Sequence, residues 1–228
     1  MNVLLTRPAA ENARIASMLE PLGARCLAWP LTRVVPLLER LEVPRGTEAI
    51  LFTSANAVRA FAAASPVRNL PALCVGDRTA ACARAEGFGE VQNAGGDAAD
   101  LALLAGASGY RRFFHPRGRE AGELAFEGAR IDALAVYAAE PAGPPSAEVE
   151  DAFAAGAIGL VTVWSPRNAA ILRDWLAAAR PPLGGTELLG ISPATVAPLA
   201  QAGFAQVLVA ARPDAAAMAE RVAAKLRQ

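Results

Sequence analysis

The chain repeats itself with a constant register. Gly76 and Ser192, Thr79 and Thr195, Gly87 and Gly203, Phe88 and Phe204, and Val91 and Val207 each stand 116 residues apart. Upstream, FTSANAV and VWSPRNAA align with Ser54 and Ser165 111 residues apart, and the loop PPLGG takes up the difference. Similarity at so long a spacing marks two lobes of similar construction, each roughly 100 residues, rather than one large sheet. The 228 residues accommodate two such cores.

Within the repeat, short apolar runs alternate with helical patterns, which predicts an α/β fold of parallel sheets with crossover helices. Strands are expected at 3–6, 25–29, 49–53, 72–75, 90–93, 112–115, 133–137, 159–164, 187–191 and 206–210. After the first strand, Ile15, Met18, Leu19 and Leu22 have the spacing of one helix face, and Gly23 stops that helix. The stripe Ile171, Leu172, Trp175 and Leu176 predicts a second buried face.

A lobe that begins at Ala49 has five strands by Tyr137, whereas the segment from Gly159 supplies three and lacks a first βαβ unit. The opening strands supply what is missing. The expected organisation is a discontinuous lobe, residues 1–33 plus 141–228, with a second lobe, 37–137, inserted into it. Connecting strands are expected near 31–38 and 136–145, where Pro141, Pro144 and Pro145 mark the return, and such a double linker permits hinge motion.

Composition narrows the function. Twenty-two Lys and Arg balance 22 Asp and Glu, which argues against generic binding to nucleic acid or an anionic membrane. An anionic ligand must therefore be held by a local site. Cys26, Cys74 and Cys82 are too scattered for a disulfide framework or a metal cluster and read as free thiols in a reducing compartment. The opening MNVLLTRPAAENAR does not read as a signal peptide, and prolines, glycines and glutamines interrupt the uncharged stretch 188–211 too often for a membrane span. A cytoplasmic protein is expected. Neither GxGxxG nor GxxxxGK[ST] occurs, so neither a dinucleotide nor an NTP is indicated.

In order along the chain, LLTRP, LFTSANAV, VGDRTAACARAEGF, HPRG, LAVYAAEP and LGISPATVAPLAQAGFAQVLVA resemble the uroporphyrinogen-III synthase family. Each motif alone is unspecific, and their order and spacing carry the resemblance. It implies two flavodoxin-like lobes joined by a two-stranded linker, with a cleft between them. It also implies a cofactor-free, metal-free, monomeric lyase of haem biosynthesis. Such an enzyme cyclises hydroxymethylbilane, inverts the last pyrrole ring and releases water.

A substrate with eight carboxylates calls for many hydrogen-bond donors. Helix N-termini at the carboxyl ends of parallel strands supply them as free backbone amides. Candidate termini follow Arg7, Thr53 and Ser54, Gly76, Arg117 and Gly118, Ser165, and Ser192. Loss of the substrate hydroxyl needs a proton donor, and the resemblance assigns that role to Tyr137 in LAVYAAEP. The expected substrate-binding residues are Thr6, Arg7, Ser54, Gly76, Thr79, Arg117, Gly118, Ser165 and Thr195.

Each has a plainer alternative. Tyr137 is equally an aromatic packed at the lobe junction. Arg7 is placed to pair with Glu11 one turn on, Arg117 with Glu120 or Glu123, and Thr6 to act as a cap. Ser54 and Ser165 are good N-caps; Thr79 and Thr195 suit a preserved strand-to-helix turn; Gly76 suits the backbone first. Asn56 and Asn168 suit first-turn solvation as well as substrate. A lone histidine is more often packed than catalytic, which leaves His115 outside the mechanism. The tryptophans read as core or cleft-wall aromatics. A two-lobed binding protein for a polycarboxylate is the rival to the enzyme, followed by an interaction module.

Two departures from the family pattern stand out. Between Arg117 and Tyr137 the expected crossover helix is cut to barely two turns. WSPRNAA carries one residue more than FTSANAV, which predicts a different turn geometry.

Overall fold

The computed structural model describes residues 1–227. Among these are eleven strands and eight α-helices, and the chain divides into two compact units, Met1–Arg33 with Glu140–Gln228, and Val34–Ala139. The first unit contains β1 (Asn2–Leu5), β2 (Arg25–Ala28), β9 (Ile158–Val163), β10 (Glu187–Gly190) and β11 (Gln206–Val209). The sheet of the second is built from β4 (Ala49–Phe52), β5 (Ala72–Cys74), β6 (Val91–Asn93), β7 (Arg112–Gly118) and β8 (Arg130–Pro141), with β3 (Thr32–Pro36) beside β8.

The first sheet runs β11-β10-β9-β1-β2 and the second β6-β5-β4-β7-β8, and all these pairings are parallel. Their registers are the same. Leu188 faces Val207 as Ala72 faces Val91, Val161 faces Leu188 as Ile50 faces Ala72, and Leu4 faces Val161 as Phe114 faces Ile50. The units are thus circular permutations of one sheet: β1 and β2, which open the chain, occupy the places of β7 and β8, which close the second sheet. In each unit's own chain order the first sheet reads 2-1-3-4-5, the flavodoxin arrangement, and the second 3-2-1-4-5.

The central strands are buried on both faces, as parallel sheets require, and therefore read as unbroken apolar runs. All four residues of β4 are fully buried, and β9 holds Ile158, Leu160, Val161 and Val163 inside. Helices cover both faces. In the second unit α2 (Ala55–Ala64) places Phe61 against Phe52, Phe88 and Phe114, with ring centroids 5.7, 5.9 and 6.2 Å away. In the first, α6 (Pro166–Ala179) buries Leu172 and Leu176 and sets Trp175 against Trp29 and Phe153, each 5.0 Å away.

The structure corrects three expectations. The helix α1 (Ala9–Leu19) buries Ile15 and Leu19 but leaves Met18 exposed, and Leu22 is exposed in a short 3-10 turn before the left-handed Gly23. Glu11 and Asn12 take the inward positions instead. Between β7 and β8 there is no helix: residues 119–129 run as turns and coil, and Leu124 and Phe126 pack where a crossover helix would, Phe126 lying 5.5 Å from Phe113. The start of α6 is not altered by an extra residue. Ser165 (φ −158°, ψ 155°) caps Asn168 as Ser54 (φ −157°, ψ 150°) caps Ala57.

Two stability predictions follow from this packing. Removing the Phe61 ring should lower the unfolding free energy by about 3–5 kcal/mol, the usual cost of a large buried aromatic, measured as a lower urea midpoint for Phe61→Ala. His115 on β7 is fully buried. Burial, with the Arg117 charge adding to it, lowers its pKa from 6.5 to about 4. The unfolded chain therefore binds a proton near pH 6.5 that the folded chain refuses until about pH 4, so this contribution is intact above 6.5 and drains away as pH falls. Wild type should lose about 2–3 kcal/mol more than His115→Leu between pH 7 and 4.5; equal losses would remove the assignment.

Candidate functional site

A doubly wound sheet opens a crevice at the carboxyl ends of its strands where the strand order reverses. In the second unit that point lies between β4 and β7, and in the first between the equivalent β9 and β1. Most of the expected site residues gather at these two points.

In the second unit Thr53 and Ser54 leave β4, and His115, Arg117 and Gly118 lie toward the end of β7. Tyr137 on β8 faces Gly118 in the ladder, and its hydroxyl lies 3.0 Å from Ser54 Oγ. The close approach depends on Gly118: a Cβ there would stand 2.9 Å from both Cζ and the hydroxyl oxygen of Tyr137. Ser54 Oγ also accepts the Ala57 amide at 3.1 Å. The serine is thus a helix cap and a partner of the tyrosine at once, and the amides of Ala55 and Asn56 lack intrahelical acceptors by helix geometry.

Arg117 is half-buried. Its Nη1 donates to the Ala121 carbonyl rather than to a carboxylate, and its buried Nε has no hydrogen-bond partner. Beneath it, His115 Nε2 lies 3.2 Å from Thr53 Oγ1, and Nδ1 has no partner. Burial and Arg117 hold that imidazole neutral at physiological pH.

The first unit fills the equivalent place differently. The register sets Val3 beside Leu160 as Phe113 lies beside Ala49, so Arg7 occupies the position of Arg117. Arg7 forms an ion pair with Glu11 and stacks its guanidinium 4.6 Å over the Trp164 ring. Thr6 is fully buried, and its hydroxyl donates to the Thr162 carbonyl at 2.6 Å while Thr162 Oγ1 donates to the Leu4 carbonyl at 3.0 Å. These bonds lock β1 to β9 beyond the ladder, so Thr6 is not a cap. Asn168, also buried, donates to the Thr6 carbonyl at 3.3 Å. Pro166 removes one amide donor from the start of α6.

Gly76 and Thr79, with their equivalents Ser192 and Thr195, sit one strand further out, at α3 (Asp77–Ala85) and α7 (Pro193–Val196). Thr79 and Thr195 are buried, and Thr195 Oγ1 is 2.9 Å from Ser192 Oγ. Gly76 has extended backbone, φ −166°, and a Cβ there would meet nothing nearer than 3.9 Å. Neither backbone nor crowding demands glycine at this position.

Three residues make contacts that the sequence reading did not assign. Asn12 closes the turn after β1, accepting the Arg7 amide at 2.9 Å and donating to the Leu5 carbonyl at 3.0 Å. Thr53 and Trp164 stand at equivalent positions beside the two serine caps. Aligning LTRP with HPRG, a permuted match, would have shown that the two arginines occupy equivalent positions. No group of three or more His, Cys, Asp or Glu side chains suited to a metal occurs among the described residues. Burial holds the thiols protonated, Cys74 most strongly, at about 12.

Three solved structures are similar along essentially their whole length. One is a mutant uroporphyrinogen III synthase from the extremely thermophilic bacterium Thermus thermophilus, 16% identical, with a TM-score of 0.48, matching 100% of this chain and 99% of that one. A second structure of the Thermus thermophilus uroporphyrinogen III synthase is 16% identical, with a TM-score of 0.39 and full coverage of both chains. A third, the wild-type enzyme of the same species in another crystal form, is 18% identical, with a TM-score of 0.40, over 100% of this chain and 95% of that one. No curated protein matches by sequence. The family model of uroporphyrinogen-III synthase HemD matches residues 13–220, and the chain belongs to that family.

Proposed function

We propose that the chain is a uroporphyrinogen-III synthase, a lyase of tetrapyrrole and haem biosynthesis that cyclises hydroxymethylbilane with loss of water and inversion of the last ring. Family membership supports the activity. The observation that supports the residue roles is the Tyr137 hydroxyl, held 3.0 Å from Ser54 Oγ at the carboxyl edge of the second sheet.

In this reading Tyr137 passes its proton to the terminal hydroxyl of the bilane, which leaves as water. Ser54 accepts the Ala57 amide and so keeps its own proton free to donate to the phenolate that forms. The protonated azafulvene left behind, a cation, is attacked by the last pyrrole through its substituted carbon. The spiro intermediate fragments and recloses with that ring inverted, releasing one proton that the phenolate takes back. Proton donation of this kind contributes typically 10²- to 10⁴-fold. The remainder is positioning of a flexible substrate, an effect able to supply several kcal/mol.

Arg117 and the first amides of α2 bind substrate carboxylates, since the guanidinium has an unmatched buried donor and a neutral acceptor. Arg7, Gly76 and Ser165 offer further donors. The buried Thr6, Thr79 and Thr195 shape the turns that present those donors. We also propose that the protein works as a monomer in the cytoplasm, which sedimentation and cell fractionation test; no helix among the described residues is long and apolar enough to cross a membrane.

The activity is tested by supplying fresh hydroxymethylbilane, oxidising the products and resolving the isomers. Type III isomer is expected to dominate, and type I at the enzyme-free rate would reject the reading. Tyr137→Phe should lower kcat about 10²-fold or more with substrate binding retained. Gly118→Ala should mimic it by displacing the phenol, whereas unchanged turnover in both variants would remove Tyr137 from the acid role. Arg117→Ala should raise KM about tenfold or more, because charge-assisted hydrogen bonds are worth roughly 1.5–3 kcal/mol; an unaltered KM would show that the guanidinium does not meet substrate.

A further inference from the structure

His115 is the single histidine of the chain and is fully buried. One ring nitrogen has a partner, Nε2 at 3.2 Å from Thr53 Oγ1, while Nδ1 is buried without one. Thr53 is only half-buried and follows β4 immediately before Ser54, whose hydroxyl reaches Tyr137. This pair lies within the candidate site yet has no part in the proton transfer above.

A neutral imidazole carries one N–H and one lone pair. With the proton on Nδ1, a buried N–H would be left without an acceptor, a rare and costly arrangement, whereas an unmet acceptor is better tolerated. The cheaper tautomer places the proton on Nε2. From that position it can only donate to Thr53 Oγ1, and the threonine proton must then go to a different acceptor.

We propose that His115 is a positioning residue: it fixes Thr53 as a hydrogen-bond donor at the end of β4, and the acceptor of that bond is a carboxylate of the substrate. The acceptor's identity rests on the synthase reading, whereas the orientation of the hydroxyl does not. Arg117 stands two residues on in the same strand, and its positive charge adds to burial in keeping the ring neutral. The three residues form a graded set in which a buried ring aims a half-buried hydroxyl beside a cation, all at the strand-order reversal.

Because the chain has one histidine, its tautomer can be read directly. Uniform labelling with 15N-histidine and a long-range nitrogen–proton correlation spectrum between pH 8 and 5 should show a single neutral ring protonated at Nε2. A ring protonated at Nδ1 would overturn the proposal even if the enzyme is fully active. Kinetics give the second arm. Thr53→Val should raise KM for hydroxymethylbilane about tenfold or more with a smaller change in kcat, and Thr53→Ser should retain the wild-type value. His115→Leu should raise KM, His115→Gln should restore part of the loss through its amide donor, and the double variant His115→Leu with Thr53→Val should be no worse than Thr53→Val alone. Unchanged KM in Thr53→Val, or additive losses in the double variant, would defeat the proposal. Should the leucine variant not fold, the wild-type spectrum and Thr53→Val still decide it. Absence of any type III product would instead reject the synthase reading and leave the tautomer result standing.

Discussion

The parallel pairing of β4 with β7, Ala49 against Phe113 and Ile50 against Phe114, is the constraint on which the site depends. It joins two strands that are distant in sequence, and it does so where the strand order reverses. Crossover connections then leave β4 and β7 in opposite directions, and their carboxyl ends are left without a helix packed across them. Thr53, Ser54, His115 and Arg117 are adjacent for that reason. A slip of one residue would turn every side chain to the other face, placing His115 and Phe113 where Phe114 belongs. The four fully buried residues of β4 and the aromatic cluster around Phe61 oppose such a slip, since either face would lose its packing.

The same constraint appears in the other unit under a different chain order. There β1 takes the place of β7, although it opens the chain instead of arriving after three crossovers. Identical register under permuted connectivity shows that the pairing pattern and the two-faced core specify this sheet, not the order in which its strands are made. The turn chemistry is equally local. Gly87 and Gly203 both adopt left-handed φ, 90° and 93°, and Thr79 and Thr195 both donate their amides to the residue three before, at 3.0 Å.

Strand positions were legible because centrally buried parallel strands leave unbroken apolar runs bounded by turn residues, as at AILF and IGLVTV. The inward face of α1 was not. Hydrophobic spacing assigned Met18 and Leu22 to it, but Glu11 and Asn12 turn inward because they serve the end of β1, and periodicity cannot see a polar residue that faces a backbone. The absence of a helix before β8 was only half visible. The segment was plainly short, but the packing of Leu124 and Phe126 in its place is a tertiary fact. The site contacts were hidden for a similar reason. Ser54 meets Tyr137 across 83 residues and Thr53 meets His115 across 62, and nothing local in FTSANAV or HPRG names the partner.

The two arginines show how one scaffold position acquires different chemistry. Arg7 is matched by Glu11 and by the face of Trp164, a pairing that satisfies a guanidinium and spreads its charge. Arg117 meets a neutral carbonyl, and Nε remains unmatched. A chain with no net charge has no long-range field with which to gather an anion. Attraction must come from a local imbalance, and of the two equivalent positions the one at the end of β7 retains it. Burial, with the Arg117 charge adding to it, keeps the His115 ring neutral, and the ring's one partnered nitrogen is what orients Thr53. The direction of that hydrogen bond and the place of the guanidinium both depend on the register of a single strand pair.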